Sequence, residues 1–183
     1  MQGQGFNAFT ITQLIIQAFT PLMTATIAVV ILILGTRLER SKQLHRSLLD
    51  KRMSLFEEIA PGLNDIYCFY QAVGHWSDLN PEEIIKRKRA IDRAVNVNRY
   101  LFRNRFWGVY KEFENAHFEM FSAAGQSARI RLDTKYVRER IGSHFKKEWE
   151  QCVSSEPGDR KEQVRSYDAL MDLLGNEVKG EVA

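Results

Sequence analysis

The chain is poor in the residues that punctuate, cross-link and catalyse. Its 183 residues include two cysteines, four prolines and four histidines. Cys68 and Cys152 stand far apart, which excludes a disulfide-dense scaffold and a Cys-x-x-Cys metal or redox motif. No Gly-rich phosphate loop, Gly-x-Ser-x-Gly elbow, His-Glu-x-x-His or calcium-loop pattern occurs. No nucleophile sits at a defined spacing from a base. These absences argue against an enzyme and imply no cofactor. The most consequential absence is positional. The first 36 residues carry no ionisable side chain, and all 26 basic and 23 acidic residues lie from Arg37 onward. The formal net charge of +3 is therefore an average over two unlike regions. Length and composition together exclude a large multidomain enzyme, a disordered charged tail and a polytopic transporter.

What fills the charge-free start is apolar. Residues 11–35 read ITQLIIQAFTPLMTATIAVVILILG. At about 1.5 Å rise per residue, a helix of this length crosses a hydrocarbon core of about 30 Å with some tilt. A cleaved signal peptide needs a basic start, a shorter apolar run and a small-residue cleavage site, none of which is present. The expected organisation is a short extracytoplasmic N-terminus over 1–10 and a single membrane anchor over 11–35. A basic stalk helix over 36–60, a helical domain over 61–175 and a flexible tail over 176–183 follow.

Residues 37–52 hold Arg37, Arg40, Lys42, Arg46, Lys51 and Arg52 against Glu39 and Asp50. By the positive-inside tendency the N-terminus lies outside and the large C-terminal part is cytoplasmic, with Arg37, Arg40, Lys42 and Arg46 at the inner leaflet. Gln13, Gln17, Thr20, Thr24 and Ala28 fall on one helical face. Small and hydrogen-bonding residues on one stripe let membrane helices approach, so this face is the expected seam of a homo-oligomer or, less favoured, the lining of a pore. Pro21 is expected to kink the helix near the outer surface.

Beyond Gly35 no stretch alternates as a half-buried strand does, and helical spacing recurs. The expected fold class is all-α: one transmembrane helix followed by a cytoplasmic bundle of about five helices. Pro61-Gly62 is expected to interrupt the stalk, and 63–73 (LNDIYCFYQAV) resumes as a nearly all-round apolar helix that ends at Gly74. Asn80-Pro81-Glu82-Glu83 is a strong start signal for a helix to about Leu101. Further helices are expected from about Arg105 to Ala124, from Asp133-Thr134 to about Val153, and from Asp159 to Leu174, stopped by Gly175.

The richest charge feature is 86–105. Lys86, Arg87, Lys88, Arg89, Arg93, Arg99, Arg103 and Arg105 face Asp92 alone there, interleaved with Tyr100, Phe102, Phe106 and Trp107. Lys86, Arg89, Arg93, Arg99, Arg103 and Arg105 form a candidate patch for an anionic partner: nucleic acid, inner-leaflet headgroups or an acidic protein. The alternative is a solvated basic face. Lys88 and Asp92, four apart beside Ile84 and Ile91, read as a half-buried ion pair. Glu114 and His117 form Glu-x-x-His, half of a di-iron pattern, but no second copy exists. His117 shares a face with Phe106, Tyr110, Phe113 and Phe121, so it reads as a core histidine and not as a metal ligand. Asn64, Asp65, Lys88, Asp92 and His117 are the candidate structural polar core.

At LNDIYCFYQAVGHW (63–76) and NPEEIIKRKRAID (80–92) the chain resembles a family of uncharacterised bacterial membrane proteins. The likeness covers about the middle third and weakens after Gly125. The resemblance implies a bacterial inner-membrane protein with a short anchor, a basic stalk and a helical cytoplasmic domain; it supplies no activity and no site residues. Accessory and effector proteins of phage-defence operons share this layout. The leading expectation is a non-enzymatic, self-associating membrane protein with a cytoplasmic protein partner. A membrane-acting effector and a tethered nucleic-acid or anionic-lipid binder are the alternatives.

Overall fold

A computed structural model describes the backbone of residues 8–120 and 127–180, and the side chains of all of these except 8–12 and Ile15. Residues 1–7, Phe121, Gly125 and the last three residues, on which some of the expectations above fall, lie outside the described residues. The fold is mostly helical, as expected. Five α-helices are described: α1 (Ala8–Gln71), α2 (Pro81–Val97), α3 (Asn104–His117), α4 (Thr134–Ile141) and α5 (Arg160–Lys179). The chain divides into two compact units, the first ending at Ser47 and the second beginning at Leu48.

In the first unit every described side chain from Gln13 to Ser47 is exposed, apolar ones included. Leu22, Ile31, Leu32 and Leu38 are each more than 60% exposed. This one helix is long and apolar enough to cross a membrane. Thr20 and Thr24 donate their hydroxyls to the carbonyls of Ile16 and Thr20, at 2.7 and 2.8 Å. Such back-bonding keeps a polar side chain satisfied in an apolar medium.

The second unit has its own core. Leu55, Ile59, Leu63, Ile66, Phe69 and Tyr70 of α1 meet Ile84, Ile91 and Val95 of α2, Phe106, Tyr110 and Phe113 of α3, and Leu170 and Leu174 of α5. Their spacing along each helix, mostly three, four or seven apart, is what puts them on one inward face. A two-residue antiparallel ladder, β1 (Phe118–Glu119) with β2 (Arg129–Ile130), closes one side. Ile130 also bridges Val153, and the backbone N–H of Ser154 donates to its carbonyl at 2.8 Å.

Several boundaries differ from the sequence reading, each for a physical reason. Pro61-Gly62 does not interrupt α1, which runs on to Gln71. Proline removes one helical hydrogen bond, but Ile59, Leu63 and Ile66 on either side are buried, and packing overrides the local cost. Gly62 itself serves a close approach: a Cβ there would stand 3.2 Å from Ile91 Cδ1. The helix stops instead at Ala72, whose left-handed φ of 60° lets Val73 N–H reach back to Cys68 O at 3.2 Å. The fold is not purely α, because the chain leaves α3 at His117 for β1. The helix expected from 133 to 153 is α4 alone, ended at Gly142 (φ 62°) and followed by 3-10 turns at Gly142–His144 and Lys147–Cys152. Gly175 does not stop α5; Leu173, Leu174 and Glu177 are buried around it, and the helix closes at Gly180 (φ 73°). Residues 176–179 are therefore helix, not tail.

The start of α2 matches its sequence signal. Asn80 Oδ1 accepts from Glu83 N–H at 3.0 Å and Glu83 Oε2 accepts from Asn80 N–H at 3.2 Å, a reciprocal capping box. Asp133 and Asp159 cap α4 and α5 in one direction only, their carboxylates accepting from backbone N–H groups of the first turn.

Candidate functional site

The capped α2 presents two different faces of the basic stretch. Inward, Lys88 is 4% exposed and donates to Asp92 Oδ2 at 2.6 Å and to Glu114 Oε1 at 2.9 Å. Lys111 reaches Glu114 Oε2 at 2.6 Å, and Tyr110 donates its hydroxyl to Asp92 Oδ1 at 2.6 Å. The ammonium also lies 5.4 Å from the Phe118 ring centre. Burial works to raise the Glu114 pKa, but the hydrogen bonds from Lys111 and Lys88 win and hold it below the usual carboxylate range. Burial first, and then the Asp92 charge, push the Tyr110 phenol well above its ordinary value. Such a network is structural, since each of its charges is answered by another.

Of the five residues expected to form one polar core, the structure brings only Lys88 and Asp92 into a shared network. Asn64 is exposed and takes no part, because its position on α1 turns it away from the buried Leu63 and Ile66. Asp65 forms a separate cluster, accepting from His75 Nε2 at 2.7 Å and pairing with Arg87. His117 is fully buried among Tyr70, Phe113 and Phe118, with Nδ1 2.9 Å from Phe113 O. If that nitrogen carries the proton, Nε2 is the lone-pair side, and it has no partner among the described residues. Burial pushes the His117 pKa down to about 4. The Tyr70 hydroxyl donates to its carbonyl. Glu114 is held by two lysines, and among the described residues no group of three or more His, Cys, Asp or Glu side chains is placed to hold a metal ion.

The expected anionic-partner patch divides among different surroundings. Arg103 sits 4.0 Å from Glu177, and Arg99 lies 4.6 Å from the Trp107 ring centre, a cation–π contact. Lys86, Arg89, Arg93 and Arg105 are exposed. Phe106 is fully buried, so it is core and not a stacking platform, while Tyr100 is 69% exposed.

Three features had no local sequence signal. Arg52 is buried and donates to Leu101 O at 2.7 Å, while Nη1 reaches Glu177 Oε2 at 2.8 Å. It therefore ties the lower part of α1 to the end of α5, not to solvent or lipid. Arg140 lies over the rings of Trp76 and Tyr136, at 4.3 and 4.9 Å, and burial lowers its pKa. Finally, Lys86 and Arg89 line a cleft together with Arg129 of β2.

Two clefts of similar size among the described residues are open to solvent. One, about 420 Å³, is lined by Tyr70, Asp133, Lys135, Glu139, Arg160 and Gln163 among others. Its polar groups are engaged within the protein: Asp133 caps α4, Lys135 lies 3.9 Å from Glu139, Arg160 donates to Gln71, and Gln163 donates to Ala116 O and Arg131 O. The other, about 440 Å³, is lined by Glu82, Ile85, Lys86, Arg89, Ser127, Arg129, Gln151 and Cys152. No family model matches this chain, and neither does any curated protein or solved structure.

Proposed function

We propose that this chain is a non-enzymatic, single-pass membrane protein that self-associates and holds a helical domain ready for a cytoplasmic protein partner. The observation that carries the reading is the exposure of every described side chain from Gln13 to Leu34 on a helix with no charge in that stretch. Apolar surface on this scale is stable only when something apolar covers it, and the bilayer does so at the lowest cost in order. The arginines and lysine that follow, Arg37, Arg40, Lys42 and Arg46, are all exposed and suit the inner leaflet of a bacterial membrane. A structural role for the domain is supported by its buried charges, since Lys88, Glu114, Arg52 and Glu177 each face an opposite charge. Association through Gln13, Gln17, Thr20, Thr24 and Ala28 would bring neighbouring domains together.

The test is single-cysteine cross-linking in native membranes of a variant lacking Cys68 and Cys152. Cysteines at 13, 17, 20, 24 and 28 should give dimers well above cysteines at 14, 18 and 22. Equal, weak cross-linking around the helix would remove the seam. Release of the protein by alkaline carbonate would remove the anchor.

A further inference from the structure

Helical spacing brings Glu82, Ile85, Lys86 and Arg89 onto one face of α2. Strand alternation turns Arg129 to the side opposite the fully buried Ile130. The turn Lys147–Cys152 adds Gln151 and Cys152. Three separate elements thus converge on one cleft of about 440 Å³, a size that holds a small molecule of roughly nucleotide dimensions.

The cations in this cleft differ from the carboxylate-paired ones around the domain core. Arg87, Lys88, Arg52 and Arg103 all face carboxylates. Among the described residues, Lys86, Arg89 and Arg129 pair with no acid, and Arg89 has only the Ser127 hydroxyl as a hydrogen-bond partner. Glu82 is the single acid in the lining. Three cations against this one carboxylate leave the concavity with a net positive charge, and an anion seated among them relieves their mutual repulsion. The donors fit a phosphoryl group: two guanidiniums able to bind oxygens in pairs, one ammonium, and the Ser127 hydroxyl and Gln151 amide beside them. Ile85 and Cys152 make an apolar floor, both less than a tenth exposed. Glu82 can accept from a ligand hydroxyl.

We propose that this cleft is a binding site for a small phosphate ester, with Arg89 and Arg129 gripping the phosphoryl oxygens and Lys86 adding charge at the rim. The site lies wholly within residues 82–152 and stands or falls independently of the membrane reading. The same chemistry is offered by a soluble phosphate ester and by a phosphomonoester lipid headgroup.

The experiment uses the full chain in uncharged detergent, with inorganic pyrophosphate titrated at constant ionic strength and unfolding followed by tryptophan fluorescence. A saturable rise in Tm is expected, because a ligand that binds only the folded state stabilises it by mass action. Arg89→Gln and Arg129→Gln should each weaken pyrophosphate at least tenfold. Lys86→Gln, on an exposed helix face, keeps the test intact if the strand variant folds poorly, and should weaken it several-fold. Arg105→Gln and Lys161→Gln, exposed cations outside the cleft, should change affinity less than twofold. Absence of a saturable shift overturns the proposal, as does equal weakening by the outer variants. In nanodiscs, competition by phosphatidic acid over phosphatidylcholine would assign the lipid headgroup, and unchanged pyrophosphate affinity would assign a soluble ester. A single-stranded oligonucleotide whose binding depends on Arg105 as much as on Arg89 would replace the cleft with an extended nucleic-acid face.

Discussion

Lys86 and Lys88 are two residues apart on one helix, yet their surroundings have nothing in common. At about 100° per residue they point to nearly opposite sides of α2. Lys88 is buried against Asp92 and Glu114 and lies near the Phe118 ring; Lys86 is exposed at a cleft with Arg89 and Arg129. A stretch that reads as one basic block is thus two surfaces with different physics. The inward cation is held because leaving its acids alone would be costly. The outward ones pair with no acid among the described residues, which is what a binding surface needs and a core cannot tolerate.

The sharpest way to break this comparison is to remove the inward charge. Lys88→Ala leaves Asp92 with Tyr110 and Glu114 with Lys111, and opens a void beside Phe118. Truncating one member of a buried ion pair costs about 3–5 kcal/mol. Denaturant unfolding followed by tryptophan fluorescence measures it, since Trp76, Trp107 and Trp149 all lie in the second unit. A loss below about 1 kcal/mol would mean that Lys88 is no more structural than a surface lysine.

His117 gives the second contrast, against the exposed His75 and His144. Its pKa in the folded chain is pushed down to about 4 from an ordinary value of 6.5. The unfolded chain therefore binds this proton first as pH falls. The stabilising contribution is complete above pH 6.5 and is lost progressively toward pH 4, at most roughly 3 kcal/mol. Glu114, whose pKa is lowered, adds a loss of the same sign at lower pH, as its carboxylate becomes protonated. His117→Phe should flatten the profile between pH 6.5 and 4, read as the denaturant midpoint at each pH. An unchanged slope would show that the ring titrates normally.

Asn80, which sets where α2 begins, comes next in size. Asn80→Ala removes the side-chain half of the capping box and should cost about 1 kcal/mol in the same unfolding assay. Asn80→Gly, which keeps a backbone suited to the cap, should cost only a few tenths. Equal losses would attribute the start of α2 to Pro81 and packing instead.

What the sequence made legible was local. The Asn80-Pro81 start, the Asp133 cap and the Lys88–Asp92 pair each involve residues within four positions, where helix geometry alone decides the neighbours. Pairings across the fold left no such mark: Lys88 to Glu114 spans 26 positions and Arg52 to the Glu177 carbonyl 125. Punctuation misled where burial was strongest, at Pro61-Gly62 and Gly175, because apolar contacts outweigh a weak residue in a helix interior. The two-residue strands are too short to alternate visibly. Arg129 escaped notice for that reason, although it supplies the third cation of the cleft.

The smallest effect tests the outward face on stability alone. Lys86→Ala removes an exposed side chain with no acid to release, so contact arguments predict a change within about 0.5 kcal/mol. The sign is informative. Lys86 shares its cleft with Arg89 and Arg129, and removing one of three mutually repelling cations should leave stability equal or slightly higher. The gain should shrink as salt is raised, because exposed charges are screened over about 10 Å at 0.1 M. A loss of stability that salt does not alter would mean that Lys86 is held by contacts within the fold. Lys86 and Lys88 would then be two versions of the same structural lysine, and the division of α2 into an inward and an outward surface would fail.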